Sequence, residues 1–279
     1  MTVNKFNRTE KTSPRLITRR IVASFSMRAF TLLALFFISS CSAKNPDVRP
    51  VQSADTVITH RVGETEVSFR VRNFKNAKGK VYIILHDDEN TAVEAADSIV
   101  SRFGGTMIEL RAKGTRMISF KLKGQTYTFD PNRIFTPVGV KATLLKNGRT
   151  SPEAENATGE LGSLIAGMVA RFDTVIAVHN NKRGYSLKDY LAGGAYEKDV
   201  AEVNWVKGSS PNDFYFVVER DDFDALKAKG INVVIQSASS VTDDGSLSVY
   251  CQQKGIRYLN CEAFDGHLKE QIFMLKAIF

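Results

Sequence analysis

Hydrophobic and polar positions change their period several times along this chain, and each change marks an element. Between residues 56 and 74 the pattern alternates. Ile58, His60 and Val62 share one face of a first strand with Val57 on the other, and Val67, Phe69 and Val71 line a second, so the pair predicts a hairpin around Gly63. The continuous apolar run Val81-Tyr82-Ile83-Ile84-Leu85 predicts a strand buried on both sides. Ala92, Ala95, Ile99 and Phe103 then recur at helical spacing, with Asn90 or Thr91 as the cap and Gly104 as the stop. Residues 106–110 read as a strand, residues 117–122 and 125–129 as a hairpin about Gly124, and Asp130-Pro131-Asn132-Arg133 as a loop. The longest helix is predicted over 152–172, with Leu161, Leu164, Ile165, Met168 and Val169 on its apolar side. Strands at 174–178, 214–218, 231–236 and 257–261 alternate with helices at 221–229 and 268–279.

Strands separated by helices imply an α/β fold, with a mixed, mostly parallel central sheet carrying helices on both faces. Ligands in such folds sit beyond the carboxyl ends of strands. His86, His179 and Glu262 each fall just past the end of an apolar strand-like run, and that shared position groups them as one site.

The front of the chain reads differently. Residues 1–28 are polar and basic, with Arg15, Arg19, Arg20 and Arg28; an apolar stretch follows over 29–38, then Ser39-Ser40-Cys41. That order is the order of a secretory signal, and its apolar core is short for a bilayer span. Met27 is a second candidate start. The ending Ile38-Ser39-Ser40-Cys41 resembles a bacterial lipobox, which implies export and attachment to a membrane through a lipid on Cys41. Ser42, in place of a retention Asp, points by the same resemblance to a periplasmic, outer-membrane lipoprotein. The expected organisation is therefore a signal over 1–41, removed up to Cys41, a flexible tether over 42–55, and a single catalytic domain over 56–279. The formal net charge of +8 is carried in good part by the signal, so no nucleic-acid partner follows from it. Cys251 and Cys261, on neighbouring predicted strands, leave open a disulfide or two buried thiols.

The candidate chemistry begins at His86-Asp87-Asp88-Glu89, launched from the end of the strand run. The chain has four histidines: His60, His86, His179 and His267. His179 follows the run at 174–178, so His86, Glu89 and His179 form a possible set of two imidazoles and one carboxylate. Zinc takes such ligands and, in catalytic sites, keeps one position open. Downstream stand Arg116, the pair Asn132-Arg133, and Glu262 on a late strand before the last helix. His60 and His267 read as ordinary polar residues, and Trp205 and Tyr215 as core or rim.

From residue 80 onward this ordered set resembles the zinc carboxypeptidases of the carboxypeptidase A type and their relatives, the succinylglutamate desuccinylase and aspartoacylase group. The resemblance implies that His86, Glu89 and His179 bind Zn2+, and that Asn132 and Arg133 grip a substrate carboxylate. It implies that Arg116, with Arg111 as a rival, polarises the scissile carbonyl, and that Glu262 is the general base. There are departures. Asp87 and Asp88 follow the first His, the stretch from Glu89 to Asn132 is short, and the late Tyr that closes over substrate has two candidates, Tyr250 and Tyr258. The expected activity is hydrolysis of an amide bond next to a free carboxylate, on peptides or peptidoglycan stem peptides. The alternatives are a zinc amidase or deacylase acting on an acylated amino acid or a glycan–peptide junction, and a non-catalytic lipoprotein that binds peptide or wall fragments.

Overall fold

The computed structural model describes residues 53–74 and 79–279. The predicted signal, Cys41 and residues 42–52 of the predicted tether lie outside the described residues. β1 (Ser53–Val62) already begins inside the tether segment and pairs with β2 (Thr65–Phe74) as the antiparallel hairpin that the alternation predicts. β3 (Lys80–Ile84), α1 (Asn90–Phe103) and β4 (Gly105–Arg111) form a parallel crossover unit. β5 (Ile118–Leu122) and β6 (Gln125–Phe129) make a separate hairpin, and a single 3-10 turn, Pro131–Arg133, closes the loop after it. The chain continues through α2 (Pro137–Lys146), α3 (Pro152–Val169) and β7 (Thr174–Asn181). Then come β8 (Val200–Asn204), β9 (Phe214–Val217), α4 (Arg220–Ala228), β10 (Val233–Gln236), α5 (Leu247–Lys254), β11 (Arg257–Phe264) and α6 (Leu268–Lys276).

The hydrophobic pattern did not reveal α2, β8 and α5. The exposed Val138 and Leu145 of α2 blur its apolar stripe. β8 is a mostly half-buried edge strand. α5 is only 8 residues long, and its Val249 and Cys251 alternate like strand residues.

Nine strands form one sheet in the order β1-β2-β4-β3-β7-β11-β9-β10-β8. β4, β3, β7 and β11 are mutually parallel at its centre; the β1–β2 hairpin flanks them antiparallel on one side, and β9 runs antiparallel to β11 on the other. This is the expected mixed α/β sheet with helices on both faces. Successive side chains of the central strands enter opposite cores. Ile83, Val175 and Ala177 pack toward α2, α3 and α5, with Leu144, Ile165 and Leu247. Tyr82, Ile176 and Leu259 pack toward α1, α4 and α6, with Ile99, Phe223 and Leu275. Burial on both sides explains why these strands read as continuous apolar runs, each large side chain adding about 1.5–3 kcal/mol to stability.

The same geometry decides between the two readings of the cysteines. Cys251 lies on α5 in the first core, and Cys261 lies on β11 in the second. They point to opposite sides of the sheet and both are free, buried thiols. Among the described residues no helix is long and apolar enough to cross a membrane.

Candidate metal centre

On the α2/α3/α5 face of the sheet, the apolar pattern ends before the strands do. Along β7 the residues on that face run Val175, Ala177, His179, Asn181, and along β11 they run Tyr258, Asn260, Glu262. Backbone pairing of β7 with β11 continues to Asn181 and Phe264, and it sets Glu262 directly opposite His179. His179 and Glu262 therefore lie within strands, not past their ends as the apolar runs suggested. The ladder outlasts the hydrophobic pattern because its last residues line a pocket instead of the core.

His86 comes two residues after β3. Glu89 occupies the cap position of α1, but its side chain caps nothing, and neither Asn90 nor Thr91 takes the predicted capping role. Asn180 accepts the Ala92 N–H at 2.7 Å instead, so a side chain from β7 satisfies the helix start. That contact locks α1 to β7 and brings Glu89 to His179.

The three predicted ligands converge. His86 Nδ1 lies 2.9 Å from Glu89 Oε1, His179 Nδ1 lies 2.9 Å from Glu89 Oε2, and the two Nδ1 atoms are 3.2 Å apart. All three residues are buried, and their ligating atoms fall within 4.8 Å of one another. Ligands held about 2.0–2.1 Å from a tetrahedral zinc ion are themselves separated by about 3.3 Å. Two imidazole nitrogens and a carboxylate thus have the chemistry and spacing that zinc takes.

Asp130, at the start of the loop after β6, completes the arrangement. His86 Nε2 donates to Asp130 Oδ1 at 2.9 Å, which fixes the ring and points Nδ1 at Glu89. Asp130 also accepts the Asn132 N–H at 2.8 Å, so the one carboxylate orients the histidine and starts the 3-10 turn. Burial alone would lower the His86 pKa, but Glu89 and Asp130 outweigh it and raise it to about 9 in the metal-free protein. Burial would raise the Glu89 pKa, yet His179 and His86 hold it well below the usual carboxylate range. Asp130, where burial is outweighed mainly by His86, is likewise held low.

The remaining predicted residues surround a pocket of about 470 Å³ that His86 and His179 also line. Arg116 donates to Glu89 Oε1 at 2.5 Å, and its side chain is half exposed. The rival Arg111 instead pairs with Asp87 at 3.2 Å, outside this cluster. Asp87 accepts the Ala112 and Gly114 N–H groups at 2.6 and 2.7 Å, so it holds the loop after β4, while Asp88 pairs with Lys182 at 3.4 Å. Asn132 Oδ1 accepts the Leu247 N–H at 3.1 Å, which turns its Nδ2 toward His179 Nε2 at 3.5 Å. Arg133 donates through Nη1 to the Asn132 carbonyl at 2.7 Å and pairs through Nε with Asp244 at 3.2 Å; its Nη2 has no hydrogen bond among the described residues. The Asp244 loop is seated by a close glycine contact. A Cβ on Gly139 would fall 2.1 Å from Gly245 Cα, and Gly245 has φ +77°, so both positions need glycine.

Glu262 is 6% exposed and accepts from Asn260 Nδ2 at 3.1 Å and from Asn181 Nδ2 at 3.3 Å. Two amides thus hold its carboxylate on the pocket wall. Of the two candidate tyrosines, Tyr258 is buried in the pocket floor, and Tyr250 packs on Phe135 and does not line the pocket. Tyr185, Tyr190 and Tyr196 line it instead. His267 is bound to Asp213 at 2.9 Å at the start of α6, and Tyr215 is core.

Neither a family model nor a curated protein sequence matches the chain. Several solved structures align with the chain over about four fifths of its length. The product-bound ectoine utilization protein EutE (DoeB) from Ruegeria pomeroyi aligns at 14% identity and TM-score 0.42, covering 82% of this chain and 69% of that one. An aspartoacylase family protein from Mesorhizobium loti aligns at 13% identity and TM-score 0.40, covering 83% and 66%. The murein-tripeptide amidase MpaA from Escherichia coli O157 aligns at 13% identity and TM-score 0.37, covering 78% and 89%.

Proposed function

We propose that the protein is an exported, zinc-dependent hydrolase that cleaves an amide bond next to a free carboxylate, with peptides or peptidoglycan stem peptides as its substrate class. One observation supports this above the others. His86 Nδ1, His179 Nδ1 and the Glu89 carboxylate meet at a buried point on the wall of a pocket that also holds Glu262 and Arg133. Zinc held by those three residues would polarise the scissile carbonyl and bring the pKa of a water toward neutrality.

The chain's own groups supply the rest. Glu262 takes a proton as the water oxygen adds to the carbonyl carbon. It returns that proton to the amide nitrogen as the C–N bond breaks, leaving a carboxylic acid and an amine. The amide donors of Asn181 and Asn260 keep the Glu262 carboxylate aimed through this cycle. Arg116 offers guanidinium N–H groups to the oxyanion that develops on the carbonyl oxygen. Arg133, through Nη2, and Asn132, through Nδ2, are suited to the substrate carboxylate. The lipobox-like ending at Cys41 supports an outer-membrane lipoprotein facing the periplasm.

The test is hydrolysis of a panel of short peptides, acylated amino acids and wall fragments by wild type and Glu262→Gln. Release of single amino acids from peptides is the expected result. Freed acyl groups or glycans would move the same site to the amidase or deacylase reading. A zinc-loaded protein that cleaves nothing in the panel would contradict the proposal and leave a binding lipoprotein.

A further inference from the structure

Resting on the hydrolase reading, we infer that the pocket beside Glu262 selects a substrate whose side chain ends in a nitrogen donor, an ammonium or an amide N–H. Side chains ending in a carboxylate or a plain alkyl group are disfavoured.

Asn260 carries this inference. It lies two residues before Glu262 on the same face of β11 and is 8% exposed. Its Nδ2 donates to Glu262 Oε1 at 3.1 Å. Turning the amide over would set its oxygen against that carboxylate, so the orientation is fixed. Asn260 Oδ1 is then a buried acceptor with no hydrogen-bond partner, on a residue that lines the pocket. A buried acceptor without a partner is costly in a folded protein and calls for a ligand donor.

Two neighbours also turn unengaged acceptors toward the pocket. Gln236 is 3% exposed, and its Nε2 donates to the Ser248 carbonyl at 3.4 Å and to Gln252 Oε1 at 2.7 Å. Because the Ser248 carbonyl can only accept, Gln236 presents its Oε1 as a free acceptor, with no hydrogen bond among the described residues. Asp199 Oδ1 accepts the Thr242 N–H at 2.8 Å, and its Oδ2 makes no hydrogen bond among the described residues. Both residues line the same pocket. Register explains the juxtaposition. Asn260 pairs with Phe216, Phe216 pairs with Val234, and Gln236 is the next residue on the face of Val234. Acceptors therefore stand on either side of an apolar strip, which fits an aliphatic stem with a donor at its tip. Of the cations lining the pocket, Arg133 pairs with Asp244 and keeps Nη2 for the substrate's free carboxylate, Lys182 pairs with Asp88, and Arg183 has no ion pair among the described residues. An acidic side chain would meet unpaired oxygens.

The experiment is calorimetric titration of the purified protein with L-lysine, L-glutamine, L-norleucine and L-glutamate, which share the free carboxylate and differ at the tip. Lysine or glutamine is expected to bind at least about tenfold tighter than norleucine, with glutamate weakest. In Asn260→Leu and Gln236→Leu that advantage over norleucine should shrink to about threefold or less. Any general disturbance of Glu262 or of folding affects both ligands of one variant alike and cancels in the ratio. Norleucine or glutamate binding as tightly as lysine, an unchanged ratio in both variants, or no binding of any of the four would overturn the inference. A protein that holds zinc and cleaves amides but prefers glutamate sinks the selectivity alone. One that discriminates as expected but holds no metal sinks the hydrolase reading alone.

Discussion

Where β3, β7 and α1 meet, each nitrogen and oxygen of the His86 and Glu89 side chains already has a protein partner, with Asp130 and Arg116 closing the outer side. Across the same pocket, Asn260 Oδ1 has none, and Arg133 leaves one nitrogen unused and is substantially exposed. The first region is fixed by the fold before anything binds; the second waits for substrate to complete it. A preorganised cluster should tolerate little change and lose function outright, whereas the open wall should show graded effects on affinity and selectivity.

That contrast orders the expected outcomes. His179→Ala should abolish amide hydrolysis to the detection limit, because no other histidine stands near enough to replace it. Residual activity above about one part in a thousand would break the contrast at its strongest point. Glu262→Gln should lower kcat by about 10²–10⁴-fold while the metal content stays at the wild-type level, which separates the proton carrier from the ligands. Next come the two arginines, distinguished by steady-state kinetics. Arg116→Ala should cut kcat by about 10²–10³-fold with KM little changed, and Arg133→Ala should act mainly on KM. The reverse assignment would exchange their roles. A smaller effect is expected at Asp130→Asn, where zinc affinity should fall by about 10–100-fold, read by competition with a chelator.

The mildest effect is on the pH dependence of the metal-free protein. The raised pKa of His86 gives stability that is complete below the ordinary value of 6.5 and is lost as pH rises through about 9. Glu89 and Asp130, held low, give stability that is present above their ordinary values of 4.5 and 3.8 and is lost as pH falls toward their depressed ones. The melting temperature of metal-free protein should therefore decline from pH 6.5 to 9, and His86→Ala should flatten that decline.

Much of the fixed region was legible in the sequence, and little of the open one was. A histidine at the end of one apolar run, another after a second, and a glutamate three residues beyond the first are local signals, because the end of an apolar run is legible even where, as on β7, the strand itself continues. The roles of Asp130 and Asn180 were not readable. Each depends on a contact formed across the fold, 44 residues from Asp130 to His86 and 88 residues from Asn180 to Ala92. The open wall was hidden for a related reason. Gln236 is oriented by α5, the short helix whose alternating residues imitate a strand, and Asp199 comes just before β8, whose mixed burial leaves no clear period. Arg133 stands in a motif that carries the family resemblance, but its partner Asp244 lies in a distant loop that packs closely through Gly139 and Gly245. The central strands and α1 could be read because one or both of their faces are buried, and the hairpin because Val62, Val67 and Phe69 are buried on one side of it.

The central claim is that His86, Glu89 and His179 hold one divalent cation. Its most direct test is elemental analysis of the purified protein, with circular dichroism recorded on the same samples. Wild type should carry about one zinc per chain, and His86→Ala together with His179→Ala should carry none while keeping the native spectrum. A correctly folded wild type that takes up no zinc, or a double variant that keeps it, would contradict the account.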